Sequence, residues 1–491
     1  MILPVEWKTG LQLLPKEDII NIHEASLHIL EHTGMAMPLG GKRLNALSDF
    51  GLKVDRKTNT VRFPPHIVEN ALQHAPESYT LHARNPEHNL SLDGHHGYLS
   101  LDGTGLKVRD LDSGLIRKST YNDLADAARV ADFLPQISFL WPCVSAQDRP
   151  TATQPLYELQ ALMNNSGKHI QAMTAADPLT AKGTVEIAAA VAGGKASLKK
   201  KPIISNFQST ISPLTCSANG MEAAMIFAEA GVPVGFVTMQ IGCATAPATI
   251  AGNIALGNAE TLAGITFLQL FYPGTPCFYG SYATMMDLKT GGMTGGNPED
   301  FLLQAAAIQL ARHYKLPITI GTFGTGAVSD DWRNGVENAI SCAVSLFARG
   351  DMICGAGLLD GATIFSFEQL IKDCEIYDIL RNVSRGMTVT PETLALDDIH
   401  RIGPQNHFMV SDHTLEHIHD IWQPTVKGCH SAGVTTVKGV SHSDMAAAEK
   451  AREILKSHFP DPPDNAELLK EILDTYDRLA GEGAWGSNEM L

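Results

Sequence analysis

Polar and apolar positions alternate in two different rhythms along this chain. Near the start, Ile19, Ile22, Ala25, Leu27, Ile29 and Leu30 recur at helical spacing behind Pro15, Lys16, Glu17 and Asp18. This predicts an amphipathic helix over 15–33 with a proline and acids in its first turn. The polar run 54–61 predicts a hairpin between short strands, and 65–75 another short helix. From about residue 97, short β-rich runs (98–101, 137–143, 169–173, 202–207, 233–239, 277–280, 317–322 and 352–355) alternate with helical patterns. These centre on 119–133, 154–166, 178–192, 218–230, 247–270, 297–314, 334–348 and 365–383. Alternating βα units imply a parallel sheet, and eight of them suit a closed cylinder better than an open one. The expected fold is therefore α/β: a (β/α)8 TIM barrel over 96–388. An N-terminal α+β extension (1–95) precedes it as a separate unit. A mostly helical C-terminal extension (389–491) follows, its clearer helices at 446–458 and 466–478.

Composition narrows the function. The 491 residues are 44% hydrophobic, enough for a large core, and 37 Lys and Arg against 53 Asp and Glu leave a formal charge of −16. An acidic surface disfavours nucleic acid and anionic membrane, whose phosphates need clustered cations. The compact basic run, Lys199-Lys200-Lys201, reads as a solvated loop entering a strand. Eight cysteines without a CxxC pair, and a start without a charged-then-apolar leader pattern, predict a cytoplasmic protein with reduced thiols. The longest apolar stretch, 241–270, is interrupted by Asn253, Asn258 and Glu260 and reads as a buried helix rather than a membrane span.

Active sites of such barrels lie on the loops that follow the strands. The residues there include Asp102, Trp141, Gln171, Phe207, Gln208, Gln240, Phe278, Tyr279, Tyr282, Phe323, Trp332 and Cys354. From them, ten are candidate substrate-binding residues: Trp141, Phe207, Gln208, Gln240, Phe278, Tyr279, Tyr282, Phe323, Trp332 and Cys354. In a chain with 7% aromatics, so many rings at loop starts suggest a cage for a quaternary ammonium group, although individual rings can simply cap a barrel core. Other features are weaker. Gly355-Ala-Gly357-Leu-Leu-Asp-Gly361 is either a phosphate cradle or a tight turn, and 290–299 is either a lid or a linker. His413 and His417 stand one helical turn apart but lack a third ligand, so no bound metal is expected.

Several of these stretches together resemble the trimethylamine methyltransferase family, in particular its branch without pyrrolysine, which includes glycine betaine methyltransferase. The likeness is carried by Ser209-Thr-Ile-Ser-Pro-Leu214, Ala244-Thr-Ala-Pro-Ala-Thr-Ile-Ala-Gly-Asn-Ile-Ala-Leu-Gly-Asn-Ala-Glu260 and Pro273-Gly-Thr-Pro-Cys-Phe-Tyr-Gly280. Leu310-Ala-Arg-His-Tyr-Lys-Leu-Pro317, Gly355-Ala-Gly-Leu-Leu-Asp360, Ser366-Phe-Glu-Gln-Leu370 and Asp412-His-Thr-Leu-Glu-His417 extend it across about 15–480. The resemblance implies transfer of a methyl group to the Co(I) cobalamin of a partner corrinoid protein, with S-adenosylmethionine playing no part. The expected donor is glycine betaine or a related betaine; proline betaine, carnitine, γ-butyrobetaine and trimethylamine are alternatives. The resemblance places the equivalent of pyrrolysine in 322–330, which is small and Gly-rich here, and Cys354 stands near the end of strand eight where many betaine-type members carry His.

The residues suit that chemistry. A tertiary amine leaving a quaternary ammonium departs neutral, so no general acid is needed and catalysis is positioning. Gln208, Gln240, Ser281 and Arg312 are candidates to meet a betaine carboxylate. A barrel aldolase or decarboxylase would want a lysine or a carboxylate pair at a strand end, and no lysine stands near the end of any expected barrel strand. A quaternary-amine binding protein without enzymatic activity is the alternative of another class. A homo-oligomer is expected, with neither nucleic acid nor membrane as partner.

Overall fold

The structure, a computed structural model, describes residues 1–7, 10–103, 105–329, 331–424 and 442–482. The barrel strands are β1 (His96–Leu101), β2 (Ile137–Leu140), β3 (His169–Gln171), β4 (Ile204–Ser209), β5 (Val234–Thr238), β6 (Cys277–Ser281), β7 (Ile318–Gly321) and β8 (Met352–Ala356). They pair in parallel in chain order, and β8 returns to β1 through Met352↔Tyr98 and Cys354↔Ser100, closing the expected TIM barrel. Strand β4 begins two residues later than its apolar run predicts. Pro202 has no N–H for the ladder, and the pairing starts at Ile170↔Ile204.

Each strand leads into a helix: α1 (Tyr121–Phe133), α2 (Gln154–Asn165), α3 (Pro178–Val191), α4 (Ala218–Glu229), α5 (Ile250–Phe271), α6 (Pro298–His313), α7 (Trp332–Phe347) and α8 (Phe367–Ser384). Their starts follow from capping chemistry. Thr120 and Asp123 form a capping box on α1, as Asn297 and Asp300 do on α6. Asp177, Ser217, Thr249, Asp331 and Ser366 accept backbone N–H groups at the heads of α3, α4, α5, α7 and α8.

Helix α5 is buried on nearly every face, and it alone among the described residues is long and apolar enough to cross a membrane. Its surroundings explain the composition. The barrel covers one side, and the N-terminal helices Lys16–His28 and Pro65–His74 cover the other. Ser26 Oγ donates to the Ala255 carbonyl at 2.9 Å and accepts from Asn258 Nδ2 at 2.8 Å, stitching the layers together.

The extensions hold the cylinder from outside. The expected hairpin forms between Lys53–Asp55 and Thr60–Arg62, with Met35–Ala36 as a third strand. Val5–Glu6 pairs antiparallel with β1. The core runs unbroken from Leu30, Val61 and Phe63 into the barrel, so the N-terminal segment shares its interior with the cylinder. Of the C-terminal helices, His442–Ser457 packs on α1 and α8, and Ala466–Gly481 packs on α2 and α3. Tyr157 Oη donates to Asp477 Oδ2 at 2.6 Å, and Arg129 donates to the Leu455 and His458 carbonyls. Between these units an arm carries strongly exposed apolar side chains at Met387, Val389, Met409, Val410, Leu415 and Ile421.

Seam residue Gly355 has φ +139°, and a Cβ there would stand 1.8 Å from the Thr322 carbonyl oxygen of β7's exit. Backbone conformation and backbone contact both forbid a side chain. Gly355→Ala is expected to cost about 3 kcal/mol or more of stability, read as a shifted denaturation midpoint. An unshifted midpoint would refute that account of the seam.

Candidate active site

At the C-terminal ends of the strands, three rings converge inside the barrel. Trp141, just past β2, lies 5.0 Å from Phe207 of β4 and 5.9 Å from Tyr282, just past β6. Tyr282 rests on the inner face of Gly321, where a Cβ would meet its ring at 2.5 Å. Phe278 stands in register with Phe207 across Gly235, whose missing side chain admits the Phe278 ring: a Cβ there would lie 2.0 Å away. It fills the lumen below the other rings. Cys354 of β8 faces inward too, with Sγ 3.4 Å from Thr319 Oγ1. Burial and the Asp102 charge hold its thiol well above the usual range, so it is a neutral wall group rather than a thiolate nucleophile.

Two polar residues outside the ten candidates join this cluster. Gln171, the last residue of β3, accepts from Trp141 Nε1 at 2.6 Å, and its own Nε2 is buried without a partner. Asp102 follows β1 and is buried. Its carboxylate accepts from the Gly103 N–H at 2.5 Å and has no ion-pair partner among the described residues. Burial pushes its pKa up to about 7, and its charge acts on Tyr282 and Cys354, the titratable groups facing it. The Tyr282 hydroxyl is buried beside Cys354 and Thr319 without a well-formed hydrogen bond, although its ring is partly exposed. An Asp closing a β-strand and followed by Gly was the available sequence signal for Asp102. The absence of a cationic neighbour is visible only in three dimensions.

The other candidates lie elsewhere. Gln208 turns outward onto Asn206, the Ala175 carbonyl and Gly220 of α4; Gln240 packs on Gly257 of α5; Tyr279 donates to Asn258 Oδ1 of α5 at 3.1 Å. One-residue alternation along each strand puts them on the helix side. These three therefore leave the site, and Ser281, on the same face as Tyr279, leaves with them. Arg312 pairs with Asp351 at 2.9 Å, at the opposite end of the barrel. Phe323 is buried beside Gly355 with φ 52°, and Trp332 opens α7 with 81% of its surface exposed.

Carboxylates on the outer helices hold the loops that frame the mouth. Glu158 of α2 accepts from the Ala146 N–H, and Glu260 of α5 accepts from the Leu214 N–H, Thr210 and Ser212. Asp300 of α6 binds Thr284, Thr294 and the Asn297 N–H, anchoring the 290–299 segment. Glu337 of α7 takes Thr325 and the Gly326 N–H, and Asp373 of α8 takes the Gly357 N–H, Asn338 and Gln369. The Gly355–Gly361 run is thus a close-packed turn. Its Gly357 N–H is spent on Asp373, which excludes the phosphate-cradle alternative.

Groups that would signal other chemistry lie away from the mouth. Buried Lys168 donates to the Ala131, Leu134 and Ile137 carbonyls ahead of β3. His169 is held by the His82 carbonyl and Ser205, its pKa pushed down to about 4 by burial. The His413 and His417 rings stand 4.4 Å apart, and no group of three metal-binding side chains occurs among the described residues.

The closed barrel thus carries, at the C-terminal ends of its strands, a group of rings, one amide and one carboxylate without an ion-pair partner among the described residues. Residues 4–482 match the trimethylamine methyltransferase family. The chain belongs to that family and is a methyltransferase. It is 30% identical to a trimethylamine methyltransferase of Desulfitobacterium hafniense (95% of this chain, 94% of that one). It is 32% identical to a glycine betaine methyltransferase of another strain of that species (93% and 97%). The monomethylamine methyltransferase of Methanosarcina barkeri shares the fold, with a TM-score of 0.52 at 9% identity over 91% of this chain and 95% of that one.

The Asp102 pKa fixes the sign of a pH effect. Because it lies above the unfolded value, near 3.9, the stability Asp102 contributes is complete below about pH 4 and is lost as pH rises through about 7. Asp102→Asn removes that loss. Its unfolding free energy should gain on the parent protein by about 2–4 kcal/mol between pH 4 and 8. A difference independent of pH would show that the carboxyl is not buried as described.

Proposed function

We propose that this enzyme takes a methyl group from a quaternary amine and passes it to the reduced cobalt of a corrinoid carried by a partner protein. The observation that carries the reading is the group of Trp141, Phe207 and Tyr282, with Tyr282 in the field of a buried carboxylate that has no ion-pair partner among the described residues. Ring faces and a negative charge are what a cation without N–H donors can use. The resemblance to a glycine betaine methyltransferase supports a quaternary donor, with proline betaine, carnitine, γ-butyrobetaine and trimethylamine as further candidates.

The chain's own part is positioning. The rings fix the nitrogen, and the Gln171 amide, oriented by Trp141, offers a free N–H to another part of the substrate. As the C–N bond breaks, its electron pair stays on the nitrogen, which leaves as a neutral amine without needing a proton. The Co(I) centre supplies the nucleophile. A neutral Cys354 agrees with a site that contributes no thiolate nucleophile of its own.

Around the mouth, exposed Ile211, Met239, Leu288, Val328 and Trp332 stand on the loops after β4, β5, β6 and β7. An apolar rim of this kind suits docking of a macromolecular methyl acceptor. The exposed arm between Met387 and Ile421 suits contact between copies of the chain in a homo-oligomer.

Purified protein mixed with each candidate amine and Co(I) cobalamin is expected to form methylcobalamin, seen in the corrinoid spectrum, with at least one donor. Binding without turnover would instead favour a binding protein. Trp141→Ala and Phe207→Ala should each lower kcat/KM about 30-fold, the equivalent of about 2 kcal/mol of lost ring contact. Trp332→Ala should raise KM for the corrinoid protein while leaving the reaction with free cobalamin unchanged; equal effects on both acceptors would remove Trp332 from the docking rim.

A further inference from the structure

We infer that Asp102 is the counter-ion of the substrate's methylated nitrogen, and that it makes the site select amines of net positive charge over zwitterions whose carboxylate adjoins the nitrogen. The inference rests on the quaternary-amine reading above and narrows it. A carboxylate this deeply buried is ordinarily paired, because an isolated charge in a poorly polarisable interior is costly. Here the Gly103 N–H is its one hydrogen bond, and no Lys, Arg or His forms an ion pair with it among the described residues. Ser100, two residues before Asp102, pairs in register with the inward-facing Cys354, so strand alternation turns Asp102 to the lumen side, where its charge acts on the neutral Cys354 and on Tyr282 of the ring cluster.

A quaternary ammonium entering that space supplies the missing partner. Glycine betaine brings a second carboxylate one carbon from its nitrogen. Two like charges held close together in a poorly polarisable interior repel, which weakens the binding of glycine betaine relative to a monocation. Such a substrate would need a cation of its own at the mouth. The side chains that the sequence offered for that carboxylate do not provide one: Gln208, Gln240 and Ser281 face the helices, and Arg312 sits at the far end with Asp351. Gln171 Nε2 and Tyr282 Oη, buried beside the rings without hydrogen-bond partners among the described residues, are uncharged donors and suit a hydroxyl or carbonyl oxygen.

The test is calorimetric titration of the full chain at pH 8 with tetramethylammonium, choline and glycine betaine, repeated on Asp102→Asn. The parent protein should bind at least one of the two monocations about 10-fold or more tightly than glycine betaine. Asp102→Asn should weaken monocation binding about 10-fold or more and leave glycine betaine unchanged or tighter. Glycine betaine binding as tightly as both monocations would overturn the selection, and an Asp102→Asn variant with unaltered monocation affinity would overturn the counter-ion. If the variant does not fold, the ranking on the parent protein decides alone. If carnitine, γ-butyrobetaine and trimethylamine also fail to bind, the quaternary-amine reading itself falls and takes this inference with it. A betaine that binds and turns over while the monocations do not leaves that reading standing and removes only this step.

Discussion

Carboxylates carried by the outer helices and accepting hydrogen bonds from the loops above the strands are the interaction on which the mouth depends. Glu158, Glu260, Asp300, Glu337 and Asp373 each reach a loop backbone N–H that neither sheet nor helix uses. An unsatisfied buried N–H costs about 1–3 kcal/mol, so each carboxylate converts a liability into a fixed loop position. Desolvation raises the pKa of Glu158, Glu260, Asp300 and Asp373, the last to about 7. The loops are thus held by groups that themselves resist burial as anions, and the N–H and O–H donors they collect are what keep them in place.

This arrangement separates framework from chemistry. Because the loop backbones are held from outside, the inward side chains need not serve the fold, and the lumen can hold Trp141, Gln171, Phe207, Tyr282 and Asp102 with Gln171 Nε2 and Tyr282 Oη left unpaired. A reaction whose leaving group departs neutral asks for little else. It needs a shaped and electrically suited enclosure, and proton-transfer groups would bring no benefit there.

Much of the architecture was legible from periodicity. Eight alternating βα patterns yielded the eight strands and helices, and the hairpin at 54–61 fell where its polar turn predicted. The site was less legible, for a specific reason. A position just after a strand is a position in sequence, whereas facing the lumen or the helices depends on a single residue of register. Gln208, Gln240 and Tyr279 pass the first criterion and fail the second; Phe207, Tyr282 and Cys354 pass both. Asp102 and Gln171 stood among the loop-start residues but offered no ring. What distinguishes them, a buried carboxylate without an ion pair and a buried amide N–H without an acceptor among the described residues, is a property of the assembled barrel.

The inner-wall glycines carry a consequence for how such enzymes diversify. Gly235 and Gly321 create the hollows in which Phe278 and Tyr282 lie. A methyl group added at either position would push a ring toward the axis, shrinking the chamber without altering any group that meets the guest. Retuning for bulkier or slimmer molecules can therefore proceed from behind the aromatic lining, through residues that no guest ever touches.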